Sequence, residues 1–309
     1  MILRAALALA LLSLFACKPS GESHMPAIIG AVLIDGQGGP PVSNSVVVVA
    51  EDRIRAAGPS SVVPIPAEAD KIDGSGKCLV PGLVDVYRGA QIASDFTAGH
   101  PASPDEARAR VSELARNGVQ AIDLWKLAPA VSDAVMEAAR GAGISVTGHI
   151  STLEEAEFLV KGGVSGLVGM ICDTEKLDPD FLARLRDLRI FFAPWLAQGF
   201  APGVSACQPA ARNTLRLYQA GVPMALASFQ GDLLRAAEFL ADAGVPPLDV
   251  IVAATRNGAV AIHQDRERGT IQAGKRANLL LLSANPGEDI RNLRKVAWRS
   301  MLDPVALPR

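Results

Sequence analysis

Hydrophobic and polar positions change their rhythm twice along this chain. Between residues 28 and 82 the apolar stretches are short and broken by turn residues. Ile28–Ile34 is an apolar run, Asp35-Gly36-Gln37-Gly38-Gly39-Pro40-Pro41 is a turn cluster, and Val46–Ala50 is a second run. Glu51-Asp52-Arg53 then turns into Ile54–Gly58, and residues 71–81 give another short extended piece. Short β-rich runs between turn clusters predict a small β-domain of hairpins.

From residue 83 the pattern becomes an alternation of strands and helices. Leu83–Tyr87, Ala121–Lys126, Ile144–Ile150, Gly166–Ile171, Phe191–Leu196 and Pro223–Ser228 predict strands. Between and after them, helices are predicted from Ser103 to Asn117, over 130–141, from Thr152 to Lys161, and over 178–188, 209–220, 231–243 and 254–262. Ser103-Pro104-Asp105-Glu106 places a capping hydroxyl, a proline and two acids where a helix begins. Thr152 with Glu155 has capping-box spacing, and Gly162-Gly163 ends that helix. Such alternation predicts parallel strands covered by helices. The stretch 269–282 returns to short strands, which predicts that it rejoins the N-terminal β-domain. The fold class is therefore α/β: a TIM-like (β/α) barrel, with a small composite β-sandwich drawn from both chain ends. An eight-unit barrel takes about 250 residues, so residues 83–263 hold about six units and the barrel is predicted to be incomplete. The domain limits read as 28–82 and 266–309 for the sandwich and 83–265 for the barrel.

The N-terminus is read as an address. Arg4 precedes the apolar run Ala5–Phe15, which is too short to span a bilayer. It ends in Leu14-Phe15-Ala16-Cys17 and resembles the lipobox of bacterial lipoproteins, with Cys17 as the lipidated residue. Residues 1–17 are then a signal peptide and 18–27 a polar tether. Lys18 in place of aspartate points to the outer membrane, facing the periplasm, and the partner implied is the membrane itself through the lipid.

Composition narrows the rest. The 309 residues carry 30 Lys+Arg against 32 Asp+Glu, a net charge of −2, so no electrostatic footprint for nucleic acid exists. Only four histidines occur, His24, His100, His149 and His263, so any metal centre must be built from few ligands. Beyond Cys17 the cysteines are Cys78, Cys172 and Cys207, with no Cys-x-x-Cys pair. Buried small apolar side chains are the favoured reading of these three, with one disulfide left open for an oxidising compartment.

The flanks carry a resemblance. Leu33–Pro41, Val46–Ile54 and Lys77-Cys78-Leu79-Val80-Pro81-Gly82-Leu83-Val84-Asp85 resemble the opening of the amidohydrolase superfamily, nearest to its imidazolonepropionase-like and Xaa-Pro dipeptidase-like branch. Ala253–Ala259 and Gly269–Leu282 resemble its closing segment, and Thr147–Ala156 and Gly221–Ser228 fit its middle. The resemblance implies metal-assisted hydrolysis of C–N bonds, in which the cation lowers the pKa of a bound water. It also implies ligands at particular positions, and here most are replaced. The family's His-x-His falls on Tyr87-Arg88-Gly89. Its bridging lysine falls on Asp123, one strand histidine falls on Gly169, and its closing aspartate falls on Phe229. His149 retains a ligand position, and His100 in Gly99-His100-Pro101 matches a loop histidine. Relatives place two further βα units near Gln91–Thr97.

Two readings follow. One is a relative that has lost its metal and most or all hydrolytic activity, with His149 kept in a hydrogen-bonded structural role. The other is a residual hydrolase with one zinc on His149, Asp123 and His100. A small amide or dipeptide is the implied ligand. Open barrel edges imply self-association.

Overall fold

The structure, a computed structural model, describes residues 25–87, 101–125, 127–194, 207–228 and 232–300, together with the backbone of 92–93. Cys17, Arg88, Gly89, His100, Lys126 and Phe229 lie outside these residues.

The chain ends build one sheet. Its strands are β1 (Pro26–Leu33), β2 (Val42–Ala50), β3 (Arg53–Pro59), β4 (Asp70–Asp73) and β5 (Cys78–Pro81). From the other end come β11 (Leu279–Leu282) and β12 (Val296–Arg299). They run in the order β12-β11-β5-β1-β2-β3, with β4 beside β1. The sandwich read from the sequence is thus a single seven-stranded hydrogen-bonded sheet. One edge of β1 serves two parallel neighbours, β4 along Pro26–Ile29 and β5 along Val32–Leu33. The change-over falls at Gly30, whose φ of +83° suits glycine. A Cβ there would lie 2.9 Å from the Ser75 hydroxyl.

The middle of the chain forms a parallel sheet: β6 (Ile92–Ala93), β7 (Ala121–Leu124), β8 (Ser145–Ile150), β9 (Gly166–Gly169) and β10 (Phe191–Ala193). These pair in chain order. Helices α1 (Pro104–Arg116), α2 (Pro129–Ala142), α3 (Leu153–Gly162) and α4 (Pro179–Asp187) connect them. The signals in the sequence act as written. Ser103 accepts from the Glu106 amide, and Thr152 and Glu155 close a reciprocal capping box. Then come α5 (Ala210–Gln219), α6 (Leu233–Asp242) and α7 (Pro247–Val252). A π-helical turn (Ala253–Asn257) leads into α8 (Gly258–Ala261), where one plain helix was predicted.

Two predicted strands are not regular strands, yet they complete the arc. Segment 223–228 meets β10 through one bridge, Phe192 to Met224, with the Ala225 amide donating to the Phe192 carbonyl at 2.9 Å. Segment 83–87 lies against it, the Val86 amide donating to the Leu226 carbonyl at 3.0 Å. Its Val84 amide turns instead to the Ala254 carbonyl at 2.8 Å, so the ladder is interrupted by the C-terminal helix. Among the described residues the arc from β6 round to 83–87 is not closed into a barrel.

Strands β9 and β10 and segments 83–87 and 223–228 are apolar on both faces, as expected of buried parallel sheets. Ile122, Leu124, Val146, Leu167, Phe192 and Leu226 pack outward against the helices. Val84, Val86, Val168, Phe191, Ala193, Ala225 and Ala227 fill the inside of the arc with Ala259 and Ile262 of the C-terminal segment. That inner packing leaves polar groups to gather at one end.

The cysteines part company with the favoured reading. Cys172 and Cys207 are joined in a disulfide, and among the described residues Cys78 is left as a buried free thiol. Sequence spacing does not reveal such a pair, because the closure depends on β9 and α5 converging.

Candidate functional site

At the carboxyl ends of β7 and β8 the inward positions are polar. Register places Asp123 beside Thr147, and the period of two then puts His149 on the same face. Asp123 is 7% exposed. Its Oδ1 accepts from the Thr147 hydroxyl at 2.9 Å, and its Oδ2 lies 2.8 Å from His149 Nε2. The third member comes from segment 83–87. Tyr87 donates its hydroxyl to Asp123 Oδ2 at 2.7 Å and also touches His149 Nε2. One carboxylate oxygen, the outer imidazole nitrogen and the phenol hydroxyl therefore meet, while Thr147 holds the other carboxylate oxygen.

Two aromatic neighbours frame the imidazole. The Tyr87 ring lies 5.7 Å from it between centroids, and the Trp125 ring 5.6 Å. A cavity of about 300 Å³ opens beside this group, lined by Trp125, Leu127, His149, Glu154, Phe158 and Leu159 among others. It lies between the ends of β7 and β8 and the first turns of α2 and α3.

Below the trio, Asp85 ties the two irregular segments together. It is 5% exposed. Its Oδ1 accepts from the Ser228 amide at 3.1 Å, and its Oδ2 accepts from the Ser228 hydroxyl. The Tyr87 amide also donates to Oδ1, at 2.9 Å. Asp85 thus sets the height of Tyr87, and so brings its hydroxyl to Asp123.

Of the site residues read from the sequence, the structure brings Asp123 and His149 into direct contact, while His100 is outside the described residues. Tyr87 was noted in the sequence only as the occupant of a family histidine position. Its role as their partner was missed. The signal was present: a hydroxyl at the end of the first inward segment faces the same interior as Asp123. Gly169, at another family histidine position, has φ of +132°, and a Cβ there would lie 2.1 Å from the Ile150 carbonyl oxygen. No side chain is accepted at that point without a different backbone.

The electrostatics give a measurable consequence. The chain has two tyrosines. Burial, then the Asp123 charge, drives the Tyr87 phenol far above its ordinary value. Burial and the hydrogen bond to Asp249, 2.6 Å away, push Tyr218 up to about 12. Unfolded, both ionise near pH ~10. In that range the unfolded chain binds fewer protons than the native one, so stability is full below about pH 10 and falls as pH rises toward 12. Alkaline difference absorbance of the native protein should show no phenolate at pH ~10.5, and both phenolates should appear once the chain is unfolded. A native tyrosine ionising at the ordinary value would contradict the trio.

No family model and no curated protein matches the chain. Solved structures do, and they are members of the amidohydrolase family. Molinate hydrolase superposes with a TM-score of 0.72 at 18% identity, covering 94% of this chain and 98% of its own. A Xaa-Pro dipeptidase with methionine bound in its active site gives 0.70 at 16% identity, over 88% and 97%. Ochratoxinase from A. niger gives 0.72 at 16% identity, over 91% and 95%. At such identities the likeness is one of architecture, and the fold of this chain is that of the amidohydrolases.

Proposed function

We propose that this chain is a metal-free, non-hydrolysing relative on the amidohydrolase fold. It takes a small amide or dipeptide in the cavity beside His149. It is held in the bacterial cell envelope, at the outer membrane facing the periplasm, by lipid on Cys17. The observation that carries the reading is the Tyr87 hydroxyl seated on both Asp123 and His149. A catalytic zinc needs about three protein ligands whose lone pairs converge on a shared point, plus one open position. Here the donor atoms already satisfy each other, and Thr147 holds the remaining carboxylate oxygen. Among the described residues no group of three or more His, Cys, Asp or Glu side chains is placed to hold a cation. These residues do not fit the metal that the fold family uses. The replacement of the family's ligand positions by Tyr87, Gly89, Gly169 and Phe229 supports the same reading.

Elemental analysis tests it directly. Protein purified without chelator should hold well under one zinc per chain, and EDTA should leave its melting temperature unchanged, because no binding energy is linked to folding. Tyr87→His should raise zinc uptake, since it removes the hydroxyl and adds a ligand. Stoichiometric zinc in the parent would overturn the proposal in favour of a one-metal hydrolase on His149, Asp123 and His100. Anchoring is tested separately. Two or more acyl chains anchor stably, so Cys17→Ser should move the protein from the membrane fraction to the soluble one, or leave it unprocessed. Unchanged fractionation and mass would remove the lipid from the account.

A further inference from the structure

At the opposite end of the arc, where the strands begin, a second cavity of about 330 Å³ is lined by Arg189, Phe191, Pro223, Arg256, Asn257 and Val260, among others. We infer that this cavity is a binding site for an oxyanion, a carboxylate or phosphate, carried on a small apolar group.

Two arginines, Arg189 and Arg256, line this one cavity. Neither Arg189 nor Arg256 has a carboxylate partner among the described residues, although other exposed arginines of this chain, such as Arg53, Arg212, Arg291 and Arg294, do. Guanidinium forks match carboxylate and phosphate oxygens in pairs, which makes paired arginines a recognition element for such groups. Arg256 is positioned as well as charged. Its Nη1 donates to the Gln37 carbonyl at 2.7 Å and its Nε to Asn257 Oδ1 at 3.5 Å, which leaves the Nη2 donors for a ligand. Beside it, Asn257 donates to the Met224 carbonyl at 2.9 Å and so ties the cavity wall to the strand segment.

The backbone explains why Arg256 and Asn257 share a wall. They lie in the π-helical turn Ala253–Asn257, and the wider turn shifts side chains round the helix relative to a regular α-helix. Such single turns recur at functional sites. Gly258 follows, where a Cβ would lie 2.8 Å from the Val84 carbonyl oxygen, so the helix is pressed against the arc.

The remaining lining is apolar. The Phe191 ring fits over Gly166, where a Cβ would lie 2.2 Å from it, and forms the inner wall. Val260 stands 43% exposed at the rim, unusual for a large aliphatic side chain here. A charged head against Arg189 and Arg256, with an apolar body against Phe191, Pro223 and Val260, satisfies both halves of the cavity.

Phenylphosphate and benzoate are the probes, with inorganic phosphate as the head group alone. Calorimetric titration of the purified protein should show saturable one-site binding of at least one aromatic probe, tighter than phosphate and weakened by salt. Arg189→Gln and Arg256→Gln should each weaken it by about tenfold or more. Val260→Asp should abolish it by placing a like charge at the rim. Tyr87→Phe should leave it unchanged, which separates this site from the one beside His149. The ratio of the phosphate and carboxylate probes identifies the preferred head group. If Arg256→Gln does not fold, Arg189→Gln decides, because the Arg189 side chain makes no hydrogen bond or ion pair among the described residues. No saturable binding up to about 10 mM, or equal binding by parent and Arg189→Gln, would overturn the inference.

Discussion

Gly169→Ala should cost this protein about 3–5 kcal/mol, enough to lower its melting temperature by roughly 6–10 °C or to stop it folding. The φ of +132° is in a region that alanine rarely adopts, and this alone costs about 1 kcal/mol or more. The larger part is steric. The new methyl would stand 2.1 Å from the Ile150 carbonyl oxygen and 3.2 Å from its amide nitrogen. That oxygen accepts from the Met170 amide at 3.3 Å, at the last register pair of β8 and β9, Ile150 with Gly169. To relieve the contact the two strand ends must separate, just beyond His149 and its partner Val168. The polar trio would loosen with them. A melting temperature within about 2 °C of the parent would show that the strand end can move freely. The same clash meets histidine, so returning the family's ligand to this position requires a rebuilt backbone. The sequence alone suggests restoring ligands by Tyr87→His, Gly89→His, Gly169→His and Phe229→Asp. The geometry withdraws the third of these.

Breaking the Cys172–Cys207 bond should lower stability by about 3–4 kcal/mol, or a melting shift of roughly 6–8 °C. The bond spans 35 residues from just after β9 to just before α5. Loop closure of that length removes conformational freedom chiefly from the unfolded chain. Dithiothreitol, or Cys172→Ser, should show the loss by calorimetry. The thiol count is an independent check. Cys78 is buried and burial pushes its thiol up, so it should resist alkylation in the native protein. Unfolding without reductant should then expose one thiol from Cys78, Cys172 and Cys207. Three would show that the pair is reduced. A structural disulfide suits an oxidising compartment, in keeping with the envelope location proposed from Cys17.

The helices were legible wherever their ends carry chemistry. Ser103, Thr152 and Asp178 each accept from a backbone amide at the start of a helix, and these are local bonds that a sequence can announce. Asp123 and His149 were legible because they fall on the family's lysine and histidine positions at the ends of predicted strands. Leu83–Tyr87 and Pro223–Ser228 were read as strands from their apolar content. Their ladder is broken by contacts no local pattern contains: the Ala254 carbonyl and the Asp85 carboxylate. Tyr87 belongs to this second class. Its hydroxyl reaches Asp123 across 36 residues of sequence, held by Asp85 at a height that only the assembled arc defines. The π-helical turn was missed because one extra residue in a helix leaves no mark on apolar spacing over so short a segment.

The sheet built from both ends has a consequence in time. β11 inserts between β5 and β12, and β5 in turn flanks β1. During synthesis at about 5–20 residues per second, β1 is complete roughly 10–50 s before β11 leaves the ribosome. For most of that interval, from its own completion onward, β5 presents an unpaired edge of four buried residues, Cys78–Pro81, to any passing strand. The nascent chain is therefore a half-built template whose missing piece is the segment that begins at Leu279. Until β11 emerges, that edge is open to pairing with any extended segment that meets it. A chain truncated before Leu279 should accumulate as aggregate, even though every residue of the site beside His149 has already been made.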